Sequence, residues 1–109
     1  MTKTTLALTL AVLMLASACA GIPSGRLFPS PDPGMIVVGK TDKSFLLRVV
    51  GDPFQVGLDS GDQTWRWYFA RRGTTTESTK ELNVRFNADG TVKAFSFLSN
   101  FPEDMARMK

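Results

Sequence analysis

In separate runs between residues 64 and 97 apolar residues recur at every second position, and this alternation limits the possible folds more than any other feature. Trp65, Trp67 and Phe69 fall on one side of an extended chain, with Arg66, Tyr68 and Ala70 on the other. The pattern repeats over 80–86, which places Leu82, Val84 and Phe86 inward and Glu81, Asn83 and Arg85 outward. Asn87-Ala88-Asp89-Gly90 is turn chemistry, in which Gly90 supplies the left-handed residue of a three-residue hairpin loop. A third strand is then expected over 91–97, in a register that pairs Phe86 with Val92 and Val84 with Ala94. An antiparallel meander of this kind must bury its apolar face against something else.

The only stretch with clear helical spacing lies upstream. Phe45, Leu46, Val49 and Val50 share one face at i, i+1, i+4 and i+5, Thr41 is placed to cap the N-terminus, and Asp42 suits the positive first turn. Gly51 ends the helix and Asp52-Pro53 prevents its resumption. The fold class expected is therefore α+β, with one or two short helices packed on a three-stranded antiparallel β-meander. Gly57 to Asp62 reads as a surface loop, residues 71–78 as a long, mobile hairpin connection, and 102–109 as a charged tail that frays.

The first residues have the three-part layout of a bacterial export signal. Lys3 is followed by the apolar run from Leu6 to Leu15 and then by Ala16-Ser17-Ala18-Cys19. Small residues before a lone cysteine fit lipidation of Cys19 after removal of residues 1–18. Ala18-Cys19-Ala20 also fits the small-x-small site of ordinary cleavage, which would release a soluble chain. The run from Thr4 to Ala18 falls short of the ~20 apolar residues of a spanning helix. Residues 19–34 hold four prolines, at 23, 29, 31 and 33, together with Ser24, Gly25, Ser30 and Gly34, and read as a tether carrying the domain 35–101. Acyl chains at Cys19 would hold it on a membrane surface, since each buried methylene contributes about 0.8 kcal/mol. Ala20 after the cysteine, where Asp is the usual inner-membrane retention signal, favours the outer membrane and its periplasmic face.

Removing the signal leaves 91 of the 109 residues, enough for one small domain. Cys19 is the sole cysteine, so no intrachain disulfide can form and aromatic packing has to stabilise the core. Formal net charge is +3, and +2 without Lys3, which is too weak and too dispersed for a nucleic-acid partner. Histidine is absent, and an acylated Cys19 offers no thiol. Asp52, Asp59 and Asp62 form no acid–base pair that spacing supports. Neither an enzyme nor a cofactor or metal site is expected.

On the sheet face away from the helix, the expected register gathers Arg66, Tyr68, Arg85, Lys93, Phe95 and Phe97. Such a basic, aromatic patch suits a protein partner or lipid phosphates. The alternative is a β-bulge that turns Phe95 into the core and leaves an ordinary solvated face.

Val38-Gly39-Lys40-Thr41 before the helix, Val50-Gly51-Asp52-Pro53 behind it, Trp65-x-Trp67-x-Phe69, and Phe86 through Gly90 to Val92 occur in an order that resembles the SmpA/OmlA family of outer-membrane lipoproteins, the BamE-like proteins. The resemblance runs from about Ile36 to Phe97 and sets Arg71 and Arg72 near a strand-end arginine of the family, which adds them to the expected partner- or lipid-binding residues. It implies a non-catalytic accessory of β-barrel assembly or envelope integrity, and contacts with a BamD-like lipoprotein or anionic phospholipid. The family's first helix is shortened or lost here behind Pro31 and Pro33. β-Lactamase inhibitor proteins share a similar module, so a periplasmic inhibitor or adaptor is the alternative, and a homodimer is a further expectation.

Overall fold

The computed structural model describes residues 23–109. The export signal and Cys19 lie outside the described residues. In chain order the elements are β1 (Ser24–Gly25), α1 (Lys43–Val49), β2 (Gln55–Asp59), β3 (Asp62–Arg72), β4 (Glu77–Phe86), β5 (Val92–Ser99) and α2 (Pro102–Arg107). All strand pairs are antiparallel, in the order β1-β3-β4-β5, and β2 shares the outer edge of β3 with β1. The α+β class expected from the sequence is present, with two additions: an edge formed by β1 and β2, and a second helix that follows the sheet.

The strands are longer than the alternation alone suggests. β3 and β4 pair from Thr64↔Arg85 out to Arg72↔Glu77, so residues 73–76 are the whole connection, closed by Gly73 N–H donating to the Thr76 carbonyl at 2.7 Å. The long mobile connection expected over 71–78 is thus a tight turn, because the polar residues at its ends complete the ladder. The loop expected over 57–62 is also a hairpin. Ser60 (φ 51°) and Gly61 (φ 88°) turn between β2 and β3 with Asp59 opposite Asp62. Two consecutive positive φ values match the right-handed twist of the strands they join.

Period two on β3 and β4 does what the sequence suggests. Trp67, Phe69, Leu82, Val84 and Phe86 are buried together with Leu46 and Val50 of the helical segment. Trp67 is fully buried and its indole Nε1–H donates to the Gly51 carbonyl at 3.0 Å, so the helix end and the sheet share one polar contact inside the core. Trp65 adds edge-on contacts to Trp67 and Phe86. The cap of α1 is Asp42 rather than Thr41. Asp42 Oδ1 accepts from Phe45 N–H at 2.9 Å, while Thr41 is buried and its Oγ1 accepts from Val37 N–H. Thr41 is occupied because residues 39–42 run against the start of β5: Gly39 N–H donates to the Val92 carbonyl and Val92 N–H to the Thr41 carbonyl, both at 2.8 Å.

Two segments that read as appendages are packed on the core face. Phe28 and Pro31, within the expected tether, are buried, as is Ile36 just beyond it. Phe101 stacks on Phe69 at a centroid distance of 6.1 Å and starts α2, where an unstructured tail was expected. Proline density suppresses helix but does not prevent docking, and Phe28 and Ile36 supply enough apolar surface to dock. Both helices and residues 28–36 lie on this face; among the described residues no helix or strand crosses the other one.

Candidate functional site: the open face of the sheet

The open face is built from residues that alternate with the core on three long strands: Thr64, Arg66 and Tyr68 on β3, Glu81, Asn83 and Arg85 on β4, and Ala94, Ser96 and Leu98 on β5. Its register differs from expectation at one point. Phe86 pairs with Val92, but a bulge at Lys93 shifts β5 so that Arg85 faces Ala94 and Val84 faces Phe95. Phe95 and Phe97 therefore point to the core side, and Phe97 packs against the core cluster. The expected grouping of these two phenylalanines with Arg66 and Tyr68 is incorrect, because a bulged residue moves every later side chain to the opposite face. Lys93, the extra residue, stays on the open face.

Charge on this face is largely matched. Arg66 Nε donates to Glu81 Oε1 at 2.6 Å and its Nη1 to Gln55 Oε1 at 2.8 Å. Arg85 Nε donates to Asp62 Oδ2 at 2.8 Å and Nη1 to Asp59 Oδ2 at 3.3 Å, while Lys93 Nζ reaches the same Asp62 oxygen at 2.9 Å. Hydrogen bonds from Lys93 and then Arg85 hold the Asp62 carboxyl below its ordinary value; the bond from Arg66 does the same for Glu81. Three cations meet three carboxylates, so the strongly basic patch expected here is a balanced network. Asp59 and Asp62, brought together by the hairpin, act as acceptors for Arg85.

The distinctive group on the face is Tyr68. The Arg66 guanidinium lies over its ring at 4.6 Å, and the half-exposed Phe54 ring lies 6.3 Å away at a tilt of 37°. Phe54 is held by its N–H donating to the Arg66 carbonyl at 2.8 Å. Gly25 of β1 lies against Tyr68 farther along the same edge of β3: a Cβ there would stand 2.3 Å from the Tyr68 carbonyl oxygen and 2.9 Å from the ring, and Gly25 has φ 79°. The tyrosine is thus clamped by a cation, a ring and a glycine. Phe54 was not expected at the site; its position directly before a strand that pairs with Arg66 is the signal that identifies it. Arg71 and Arg72 sit at the far end of β3, both exposed, with Arg71 over the Phe69 ring on the core side and 5.6 Å from its centroid.

A second polar cluster escaped the sequence reading and lies on the core face. Lys80 is 8 % exposed and donates to the Phe28 carbonyl at 2.5 Å and to Ser30 Oγ at 3.0 Å, with its ammonium over the Phe28 and Phe101 rings. Asp104 of α2 is 2 % exposed and accepts from Ser99 Oγ (2.6 Å), Arg107 Nη2 (2.8 Å) and Ser30 Oγ (2.9 Å). Arg107 also donates to Asp32 at 2.5 Å. Burial lowers the Lys80 pKa, partly opposed by Asp104 and Glu103. For Asp104, burial raises the carboxyl, but the bonds from Ser99, Arg107 and Ser30 together with Lys80 outweigh it and the net shift is downward. This cluster joins residues 28–32 to β4, β5 and α2. The signal was present, since Lys80 shares the alternation of Leu82, Val84 and Phe86.

Among the described residues no group of three His, Cys, Asp or Glu side chains could hold a metal ion, and no helix is long and apolar enough to cross a membrane. The architecture is that of a small α+β domain with one open sheet face. No family model, curated protein or solved structure matches the chain.

Proposed function

We propose that this chain is a lipid-anchored, non-catalytic binding domain of the outer membrane's periplasmic face, an accessory of β-barrel assembly or envelope integrity with a BamE-like module. The reading rests on the export signal ending at Cys19 and on the motif order from Val38 to Val92. The observation that carries a binding role is the clamped Tyr68 on an uncovered sheet face. A ring held between a guanidinium and a second ring loses little side-chain freedom on contact, which is the chemistry of interface anchors. With its charges matched, the face around it suits a protein partner better than an anionic bilayer.

Lipidation would also orient the domain. Ser24 pairs with Ala70 near the end of β3, and it lies five residue steps after Cys19. At about 3.4 Å per residue those five reach at most about 17 Å. The β3–β4 turn, with Arg26, Arg71 and Arg72 nearby, would then face the membrane, where cations meet anionic headgroups. The open face would stand roughly perpendicular to the bilayer, free for a protein.

Affinity capture from membranes with crosslinking, wild type beside Cys19→Ala, tests the reading. Recovery of barrel-assembly components with wild type only is expected. Capture of one soluble enzyme, undiminished in Cys19→Ala, would replace it with the inhibitor or adaptor alternative.

A further inference from the structure

β5 is an edge strand whose outer side is closed only at its start. Val92 exchanges two hydrogen bonds with residues 39–41, whereas no backbone partner beyond β4 reaches residues 93–99 among the described residues. Asn100 N–H donates to the Thr79 carbonyl, so in this antiparallel ladder Leu98, Ser96 and Ala94 also turn their amides inward to β4. Phe95, Phe97 and Ser99 consequently direct N–H and C=O outward. Natural edges are usually protected by proline, charge or short length. This one has eight residues, no proline and a single charge, Lys93, which is already engaged by Asp62. Beside it, between β5 and residues 31–36, runs an apolar groove of about 390 Å³ that Phe95, Phe97, Ile36 and Met108 help to line. Phe95 is 42 % exposed and Leu98 63 %.

We infer that this edge pairs with β5 of a second copy, in antiparallel register about a two-fold axis at Ser96, to make one sheet continuous across two chains. Three features select a second copy. The free stretch 93–99 has Ser96 at its centre, so the two-fold register is the one that uses all of it. That register sets Phe95 opposite Phe97 of the second copy, and these are residues whose amides point outward, so the pair exchanges both hydrogen bonds. It also sets Lys93 opposite Ser99 and Ala94 opposite Leu98, so that no charge meets its like. On the core side the four phenylalanines meet over the two grooves. The interface is isologous and closes after two chains. The membrane role proposed above is not needed for it.

At the axis Ser96 would face its own counterpart in a non-hydrogen-bonded pair, with Cα atoms about 4.5 Å apart, within the range a disulfide spans. Ala94 would lie about 13 Å from its counterpart. In the full chain carrying Cys19→Ala, Ser96→Cys should give a disulfide-linked dimer under mild oxidation at least ten times faster than Ala94→Cys. Phe95→Pro removes an outward N–H without touching the β4 ladder, and should abolish the dimer seen by sedimentation velocity while near-ultraviolet circular dichroism is retained. If Phe95→Pro fails to fold, the contrast between positions 96 and 94 decides alone. Equal crosslinking at both positions, or a monomer at all concentrations, would overturn the inference. So would protection of the Phe95 and Phe97 amides that arises only on adding an extended foreign peptide, which would give the edge to a different chain.

Discussion

Asp104→Asn removes one negative charge from the cluster that clasps residues 28–32 and α2 to the sheet, and keeps the side chain's shape. Asp104 is 2 % exposed and accepts three hydrogen bonds, and the buried Lys80 ammonium faces it. The ion pair that is lost is with Arg107, since Lys80 reaches Asp104 only through the Ser30 hydroxyl, and deleting one partner of a fully buried pair costs about 3–5 kcal/mol. Arg107 is more than a third exposed and keeps Asp32, so part of the loss is recovered and the lower end, about 3 kcal/mol, applies. For a domain of this size about 5 °C accompanies each kcal/mol, which predicts a Tm lower by about 15 °C. Total stability for such a length is about 5–13 kcal/mol, so the variant should still fold. Urea unfolding followed by tryptophan fluorescence would measure it. Lys80→Met leaves Asp104 bonded to Ser99, Ser30 and Arg107 and fills similar volume, so it should cost about 1 kcal/mol, and Asp104→Asn should then cost at least about 1 kcal/mol less in that background. A single-variant effect below about 1 kcal/mol, or full additivity of the two, would refute the clasp.

Because the Asp104 carboxyl is held below its ordinary 3.8, its contribution to stability is complete above that value and disappears as pH falls through the lower folded-state pKa; acid unfolding below pH 3.8 should flatten in Asp104→Asn. The lowered Lys80 pKa acts at the other end: stability should rise as pH approaches 10.5 from below, and Lys80→Met should remove that rise. Asp42→Ala removes the side-chain cap of α1 and should cost about 1 kcal/mol in thermal unfolding, whereas Thr41→Ala should act through the lost Val37 contact without fraying the helix. Trp67→Ala should cost about 3–5 kcal/mol, the largest single loss in the core, since it vacates a fully buried site and strands the Gly51 carbonyl.

The helix and the faces of β3 and β4 were legible because each rests on local periodicity: Leu46 and Val50 at helical spacing, Trp65 to Phe86 at period two. The β5 faces were legible only as two alternatives, Phe95 on the open face or turned into the core by a bulge, and the structure has the second. A bulge is a choice between two backbone paths, and at Lys93 it is settled by the fit of Phe97 over the core and of Lys93 beside Asp62, both contacts distant in sequence. The docking of Phe28 and Pro31 was hidden for a related reason. Composition describes how a segment behaves alone, and proline-rich residues 29–33 cross the core face only because Lys80 and Asp104 receive Ser30 and the Phe28 carbonyl there. At the candidate site, Arg66, Tyr68, Arg85 and Lys93 were found where alternation placed them. Their neutralisation by Glu81, Asp59 and Asp62 was not, because two of those carboxylates arrive by way of a hairpin read as a loop.

Site-specific photo-crosslinking in living cells tests the central claim most directly, with the photoreactive side chain at position 68 of the lipid-anchored chain and, as control, at the exposed position 44 of α1. A crosslink from position 68 to a barrel-assembly protein, absent from position 44 and lost with Arg66→Ala, is the result predicted. Adducts from position 44 alone, or equal adducts at both positions, would contradict the assignment of the open sheet face as the binding surface.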